Sequence, residues 1–254
     1  MIIRKSEREI EQMANAGAVA AETLALLADH VRPGVTTAEL DRVADEFIRS
    51  RGGVPTFKGY RGYPASICTS PNDMIVHGIP GPYRLREGDI LSVDVGVTLG
   101  GFVGDSAYTF PVGAISAEAE RLCEVAQAAL AAAIEQARAG KRIGDVSGAV
   151  QRATEEAGFS VVRSLVGHGV GRSMHEEPQV PNFGLPGRGV PLSEGMTFAI
   201  EPMITVGGPD VYLADDGWSI STEDGSLAAH FEHTVAITAD GPRILTAAPV
   251  GVAG

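Results

Sequence analysis

Alternating apolar and polar positions divide the chain into four helix-like segments and several strand-like runs. The predicted helices, each given with the residue that opens it, run from Ser6 to about Ala28, from Thr36 to about Arg51, from Ser116 to about Ala139, and from Asp145 to Gly158. The first two openings carry a glutamate three residues later, which is the capping-box pattern of a helix N-terminus. We therefore expect two pairs of helices with β structure after each pair.

The strand-like runs occupy 77–110 and most of the chain from Phe159 onward. A loop rich in glycine, proline and aromatic residues covers 54–64. No interdomain linker or low-complexity segment interrupts this order. The pattern shows no boundary within residues 1–254, a length that fits one large domain or two small ones.

The two halves of the chain share a short ordered pattern. In each half a Glu-Gly turn precedes a strand, an acid falls seven residues after that glutamate, and a His-Gly pair lies before the turn. The matching elements are His77-Gly78 with His168-Gly169, Asp94 with Glu201, and Asp105 with Glu232. Two halves related by a pseudo-two-fold axis would bring their acids to a shared centre.

Asp94 and Asp105 interrupt two strand-like runs, 90–97 and 102–108. A hairpin turn centred on Leu99-Gly100 would place the two aspartates directly opposite each other. Opposed side chains have Cβ atoms roughly 4.5–5.5 Å apart, so the carboxylates would repel, and partial burial would strengthen the repulsion. A cation between them would relieve it. The pair therefore predicts half of a metal site.

The second half of the chain offers nitrogen and carboxylate ligands for such a site. His168 lies among glycines, while Glu201 and Glu232 interrupt apolar β-rich runs, where glutamate is disfavoured unless it is paired or ligating. The oxygen-dominated set suits two ions of Mn, Fe, Co or Zn and fits a structural zinc site poorly. Two such ions, about 3.5–4 Å apart, activate a shared water. Each acid alone is as well explained as an ordinary strand residue; the combination favours the metal site.

His77 and His175 are further candidates with two interpretations each. A lone histidine is more commonly a hydrogen-bonded core residue than a functional one. The neighbouring glycines favour function here, because they allow the backbone to approach a ligand closely. His175 follows His168 by seven residues, so the two share a site only if Gly169 and Gly171 bend the chain.

Charge and cysteine content narrow the function classes. The net charge of −12 argues against binding DNA or an anionic membrane surface. Cys68 and Cys123 form no CxxC pattern and are typical of buried residues in a reducing compartment. The N-terminal stretch lacks the apolar region of a signal peptide, and no run is long enough to cross a membrane. We expect a cytoplasmic monomer.

Seven short motifs occur in order along the chain: His77-Gly78-Ile79-Pro80, Asp94-Val95-Gly96, Gly104-Asp105, Gly167-His168-Gly169-Val170-Gly171, His175-Glu176-Glu177-Pro178, Ile200-Glu201-Pro202 and Glu232-His233-Thr234. Together they resemble the type I methionine aminopeptidases over essentially the whole chain. The resemblance implies the pita-bread fold, an α+β architecture with internal pseudo-two-fold symmetry. It also implies metal-dependent removal of the initiator methionine from nascent polypeptides whose second residue is small.

The resemblance implies a role for each candidate. The ligands of two divalent cations (Co, Mn, Fe or Zn) would be Asp94, Asp105, His168, Glu201 and Glu232. Asp105 and Glu232 would bridge both ions, and Glu201 would also shuttle a proton. His175 would hydrogen-bond the scissile carbonyl, and His77 would face the scissile amide and leaving group. The free substrate amine would bind a metal.

The methionine pocket implied by the same resemblance draws on six side chains: Phe57, Tyr60, Tyr63, Cys68, Met174 and Trp218. Phe57 stands where many bacterial members carry a cysteine, and Met174 stands where they carry an aromatic residue. The 31-residue interval from Glu201 to Glu232 is too short for the helical insertion that marks type II enzymes.

Other functions on the same fold compete with this one. Prolidase and aminopeptidase P cut X-Pro bonds and usually carry a separate N-terminal domain. Creatinase-like members lack the metal ligands, which are all present here. A non-enzymatic binding module is a further alternative. A transient ribosome contact through Arg4, Lys5 and Arg8 competes with a solvated helix face.

Overall fold

The computed structural model describes residues 2–247. Its helices are α1 (Glu7–Ala28), α2 (Thr37–Ser50), α3 (Ala117–Gln136) and α4 (Ile143–Glu156). Both predicted capping boxes are confirmed, since Ser6 and Thr36 each accept a hydrogen bond from the backbone of the glutamate three residues later. These caps satisfy N–H groups that the helix itself leaves unpaired.

Helix α4 begins earlier than the sequence predicted. Arg142 is its N-cap and Ile143 its first residue. Asp145 lies in the first turn, where its carboxylate accepts the backbone N–H of Arg142 at 2.8 Å. The prediction that Asp145 caps the helix is wrong by three positions, because an acid is also stabilising within the first turn.

The strands of the described chain are short except for two. They are β1 (Val54–Pro55), β2 (Cys68–Pro71), β3 (Met74–Val76), β4 (Ile90–Leu99), β5 (Phe102–Pro111), β6 (Ser160–Val161), β7 (Val166–Gly169), β8 (Glu176–Pro181), β9 (Thr197–Ile200), β10 (Met203–Thr205), β11 (Val211–Leu213), β12 (Ile220–Thr222), β13 (Ala228–His230), β14 (Glu232–Thr238) and β15 (Gly241–Ile244). The predicted α+β class and the two helix pairs are thus confirmed.

One large sheet joins the two halves of the molecule. Its order is β1-β4-β5-β14-β9-β7-β8, with β2 added to β4 and β15 added to β14. Strand β5 from the first half pairs antiparallel with β14 from the second, placing Ala107 opposite Glu232 and Ser106 opposite His233. We call this junction the β5–β14 seam. It brings acids from both halves to the middle of the sheet.

Each half packs its own helices on the sheet. In the first half, α1 and α2 bury Val93 and Val95 of β4. Because side chains alternate across a strand, this leaves Asp94 on the opposite face. The close approach of α1 to β5 depends on glycine, since a Cβ on Gly104 would lie 2.3 Å from the backbone nitrogen of Gly17.

In the second half, α3 and α4 bury Phe198 of β9 and Val235 of β14 in a separate core. Burial of each such side chain contributes about 1.5–3 kcal/mol. The helices therefore fix the outer face of the sheet, and the functional side chains occupy the other face. Across residues 2–247, every helix is too short or too polar to traverse a lipid bilayer.

Candidate active site and metal centre

The β4–β5 hairpin places the two aspartates on one face but not directly opposite each other. Asp94 pairs with Ala107 and Asp105 pairs with Gly96, so the prediction of direct opposition is wrong. The turn is centred on Gly100-Gly101, whose φ values are 59° and 80°, one residue later than expected. Hairpins with two positive φ values match strand twist well. The aspartates are diagonal neighbours, still close enough for their side chains to converge.

Glu201 and Glu232 reach the same place from strands β9 and β14. Ile200 pairs with His233, so the register continued by one residue would bring Glu201 opposite Glu232. His168 lies on β7, which pairs with β9. The order of strands in the sheet therefore places the three predicted ligands of the second half beside the two of the first half.

The five predicted ligands converge on one cavity. One ligand atom from each of Asp105, His168 and Glu232 lies within 4.8 Å of the other two. Nε2 of His168 lies 3.6 Å from Oδ2 of Asp105 and 3.6 Å from Oε1 of Glu201. Asp94 lines the same cavity. We call these five residues the ligand cluster.

The imidazole of His168 is oriented for ligation. Its Nδ1 lies 2.9 Å from the carbonyl oxygen of Gly169, which can only accept, so Nδ1 carries the hydrogen and Nε2 presents its lone pair to the cluster. Burial, and then the nearby His175, lowers the pKa of His168 to about 4. The ring is therefore neutral at physiological pH, as a metal ligand must be.

The electrostatics of the cluster favour a bound cation. Burial is the main cause of a raised pKa at all four acids; it brings Asp105 and Glu201 to about 8 and raises Asp94 and Glu232 well above the usual range. Repulsion between neighbouring acids adds to the effect at Asp94, Asp105 and Glu232. Within residues 2–247, Oδ1 of Asp94, Oδ1 of Asp105 and Oε1 of Glu232 are buried without a hydrogen-bond partner. Divalent cations would satisfy these oxygens, so the donor set fits them.

His175 lies beside the cluster because the chain bends between β7 and β8. The rings of His168 and His175 are 4.2 Å apart, as the predicted bend at the glycines requires. Nδ1 of His175 lies 2.8 Å from the hydroxyl of Tyr60, and the two rings stack with centroids 5.4 Å apart. Burial, and then the cation of Arg61, lowers the pKa of His175. This side chain is neutral and held in one orientation.

His77 lines the same cavity from the opposite half. Its φ of 62° is in the left-handed region, which only tertiary contacts can maintain for such a residue. The following Gly78 packs against β2, where a Cβ would lie 2.2 Å from the carbonyl oxygen of Thr69. Burial lowers the pKa of His77 to about 4. The tight turn at His77-Gly78 therefore directs a neutral imidazole into the cavity.

A buried ion pair supports the segment that carries His175. Nζ of Lys5 lies 2.6 Å from Oε2 of Glu176, and both side chains are almost fully buried. The other oxygen of Glu176 accepts the backbone N–H groups of Arg172 and Ser173. Lys5 fits neither of the two alternatives for the basic N-terminal residues, a contact with rRNA or a solvated helix face, since its side chain is buried; Arg4 is exposed.

An apolar pocket adjoins the ligand cluster. It belongs to a cavity of about 190 Å³ lined by all six predicted pocket residues, namely Phe57, Tyr60, Tyr63, Cys68, Met174 and Trp218. Tyr63 meets Trp218 edge to face at 5.1 Å, and its hydroxyl donates to backbone carbonyls of Ile67 and Gly78. These contacts fix the position of the Tyr63 ring in the pocket wall. Burial raises the pKa of the Cys68 thiol, which stays protonated.

Three comparisons with known proteins agree with this geometry. A model described as metallopeptidase family M24 matches residues 11–239. A methionine aminopeptidase from Clostridium perfringens is 53% identical over 246 residues, covering 97% of this chain and 99% of that protein. The crystal structure of a methionine aminopeptidase from Rickettsia prowazekii is 43% identical, covers 97% of this chain and 100% of that chain, and has a TM-score of 0.96.

This chain belongs to the methionine aminopeptidases of metallopeptidase family M24. The expectations of a methionine-removing metallopeptidase and of the pita-bread fold are confirmed. The M24 family and the ligand cluster together support the use of divalent metal ions. Prolidase from Pyrococcus furiosus has a TM-score of 0.80 at 22% identity, covering 97% of this chain and 66% of that one. That likeness shows a shared fold alone.

Two polar residues in or beside this cavity were missed by sequence reasoning. Arg61 lines the cavity with a φ of 49°, next to Tyr60. His230 lies on β13 with Nε2 3.6 Å from Oε2 of Glu201. Arg61 gave no signal, since an arginine in a loop is usually solvated. His230 gave one: it lies two residues before Glu232, and this spacing keeps two side chains on one face of a strand.

Proposed function

We propose that this chain hydrolyses the first peptide bond of polypeptides that begin with methionine, using two divalent cations held by the ligand cluster. One observation carries the proposal: a buried cluster of four carboxylates and one imidazole opens into a small aromatic pocket. Cations there would supply Lewis-acid chemistry and lower the pKa of a water molecule. Co, Mn, Fe and Zn all suit the oxygen-rich donor set.

The apolar pocket binds the methionine side chain. Phe57, Tyr63 and Trp218 supply ring faces and edges, which attract a thioether sulfur. Edge-to-face contact between Tyr63 and Trp218 keeps the pocket in shape before substrate arrives. Binding energy gained at the side chain aligns the adjacent peptide bond with the cluster.

The cluster also explains selection for a chain terminus. Cations held by the four acids would bind the free α-amino group of the first residue. The pocket beside them has room for one side chain. A polypeptide threaded past the cluster would lack that amino group, so internal bonds are not cut.

The two histidines act on the scissile peptide unit. The Tyr60 hydroxyl lies 2.8 Å from Nδ1 of His175. We assign the hydroxyl as the donor, which leaves Nε2–H free to donate to the scissile carbonyl oxygen as negative charge develops there. His77 faces the leaving amide from the other wall. Both rings are neutral at physiological pH, because burial lowers the pKa of each.

Glu201 carries the proton. Burial raises the pKa of its carboxyl to about 8, and bound cations would lower that value toward the range in which a carboxylate both takes and gives a proton. Its Oε1 lies 3.6 Å from Nε2 of His168, and its side chain lines the same cavity as the pocket residues. Glu201 therefore accepts the proton of the attacking water and delivers it to the leaving amine.

Further expectations remain proposals. We propose one catalytic domain, a cytoplasmic location, a monomeric state and action on nascent chains with a small second residue. The small cavity supports the last of these, because a bulky second side chain would crowd the wall formed by His77 and His175. A transient ribosome contact would have to use Arg4 and Arg8, which are exposed.

The test uses EDTA-treated protein with Co²⁺ or Mn²⁺ added back. We expect free methionine from Met-Ala-Ser, far less from Met-Lys-Ser, and none from N-acetylated Met-Ala-Ser, which lacks the free amine. Activity should depend on the added metal. Cleavage of Ala-Pro-Ala in place of Met-Ala-Ser would assign the chain to X-Pro hydrolysis, and no cleavage at all would remove the enzymatic proposal.

A further inference from the structure

His230 is a fully buried histidine that the proposed chemistry does not use. Its side chain is 2% exposed, and within residues 2–247 neither ring nitrogen has a hydrogen-bond partner. Buried polar atoms are rarely left unpaired, because each unpaired one destabilises the folded state. A partner for this ring is therefore expected in the working enzyme.

The ring is aimed at Glu201. Nε2 of His230 lies 3.6 Å from Oε2 of Glu201 and 4.0 Å from an oxygen of Glu232. The distance to Glu201 exceeds a normal hydrogen bond by only about 0.5 Å. No backbone movement is needed to close such a gap, since a small rotation of either side chain suffices.

The backbone of His230 is anchored so that the ring keeps this direction. Thr109 of β5 accepts the N–H of His230 at 3.0 Å and donates its hydroxyl hydrogen to the carbonyl of His230 at 2.8 Å. On its other side, His230 pairs with Met203 of β10. The residue is thus fixed from two sides at the β5–β14 seam.

The two oxygens of Glu201 face different imidazoles. Oε1 lies 3.6 Å from Nε2 of His168, inside the ligand cluster. Oε2 lies 3.6 Å from Nε2 of His230, the same nitrogen that lies 4.0 Å from an oxygen of Glu232. If Oε1 ligates a cation, Oε2 remains for a hydrogen bond, and the ring that can supply it is His230.

We propose that His230 is a positioning residue that donates a hydrogen bond from Nε2 to Oε2 of Glu201 and so fixes this carboxylate for cation binding and proton transfer. The inference rests on the proposed function for the role of Glu201. Its first consequence, cation affinity, is independent of any peptide reaction. Partners that orient a ligand commonly change metal affinity or activity 10–100-fold when removed.

The experiment compares His230→Leu with His230→Gln. Leucine fills space without a donor, whereas the glutamine amide can donate to the same oxygen. We expect His230→Leu to weaken Co²⁺ binding about 10–100-fold in calorimetric titration of EDTA-treated protein. In the Met-Ala-Ser assay at saturating Co²⁺, kcat should fall while KM stays within about twofold. His230→Gln should recover both values to within a few-fold of the wild type.

His233→Leu is the matched control. His233 is a half-buried histidine next to Glu232 in the chain, and its Nδ1 lies 2.9 Å from the hydroxyl oxygen of Thr246. Its replacement should leave Co²⁺ affinity unchanged, even if the melting temperature falls. A general loss of affinity in both leucine variants would show a merely structural role and would overturn the proposal.

Two further readouts keep the proposal testable. The visible spectrum of bound Co²⁺ reports its ligands; we expect the same spectrum in the wild type and His230→Gln, whereas a changed spectrum would indicate direct ligation by His230 and refute positioning. If His230→Leu does not fold, the imidazole ¹⁵N resonances of the wild type decide. An Nε2–H signal that is present in the wild type, absent from His230→Gln and retained when Zn²⁺ binds supports the hydrogen bond. Loss of this signal when Zn²⁺ binds overturns the proposal.

Discussion

The two halves of the sheet present their acids in different ways. In the first half, a tight turn joins β4 to β5, and two short aspartates lie diagonally across the ladder, each opposite a small residue. In the second half, residues 201–231 separate β9 from β14. The two acids there are glutamates, which have longer side chains and lie at or next to strand ends. The first half sets its geometry through backbone register. The second relies on side-chain length, and so on neighbours such as His168 that hold each carboxylate.

The largest expected effect separates the two aspartates. Asp105 is part of the tight group with His168 and Glu232, whereas Asp94 lies outside that group. We expect Asp105→Asn to lower kcat/KM for Met-Ala-Ser about a thousandfold, which is ~4 kcal/mol of transition-state stabilisation, and to lower the bound metal per chain. Asp94→Asn should be milder in both respects.

Elemental analysis of the bound metal and initial rates would measure this difference, with circular dichroism as the control for folding. Equal losses in the two variants would show that the hairpin delivers two equivalent ligands. The distinction between tight and peripheral ligands would then be wrong.

A second prediction tests whether backbone register alone sets the positions of the acids in the first half of the sheet. Gly96 lies opposite Asp105 and beneath the ring of Phe57, where a Cβ would lie 2.6 Å from Cε1. Gly96→Ala should therefore cost about 1–3 kcal/mol of unfolding free energy through overpacking. It should also raise KM, because the displaced ring forms part of the methionine pocket.

Denaturant unfolding and steady-state kinetics would record both effects of Gly96→Ala. The double variant Gly96→Ala with Phe57→Leu is the control, since the smaller side chain leaves room for the methyl group. Failure of Phe57→Leu to restore part of the stability would show that the strand itself, and not the ring, resists the substitution.

The smallest effect concerns the stability of the metal-free chain as pH rises. Burial raises the pKa of Asp105, from the first half, and of Glu201, from the second, to about 8. The folded state therefore holds protons that the unfolded chain releases, so unfolding free energy falls as pH rises through 8. We expect a loss of about 1 kcal/mol for each carboxyl between pH 7 and pH 9.

His77 and His168 do not contribute to this pH dependence, because both are neutral above pH 7 in the folded and the unfolded chain. Urea unfolding of EDTA-treated protein at several pH values would measure the slope. Asp105→Asn and Glu201→Gln should each flatten it by a similar amount. If one of these variants kept the wild-type slope of unfolding free energy against pH, the titrating carboxyl would belong to the other half of the sheet alone.

Local signals in the sequence predicted the helices well. The capping boxes at Ser6 and Thr36 involve contacts only three residues long, so nothing distant competes with them. The prediction of the hairpin register was wrong because the local signal for the turn was ambiguous. Either Leu99-Gly100 or Gly100-Gly101 can form the turn, and moving the turn by one residue shifts each cross-strand partner by two.

The placements that sequence reasoning missed depend on distant contacts. Lys5 is buried because Glu176, far along the chain, supplies its counter-charge, whereas a lysine near a terminus is normally solvated. His230 resembles a core histidine until the position of Glu201 is known. The ligand cluster itself was predictable, because acids within apolar strands are costly wherever they lie.

The β5–β14 seam also sets the time at which catalytic competence arises during biosynthesis. Across the seam, the Ser106 hydroxyl donates to the carbonyl of Glu232, 126 positions later in the chain. Contacts of such long sequence separation form late in folding. A nascent chain that has emerged only as far as the β4–β5 hairpin holds two aspartates and none of the second-half ligands. The predicted ligands from the two halves therefore come together only when the seam closes.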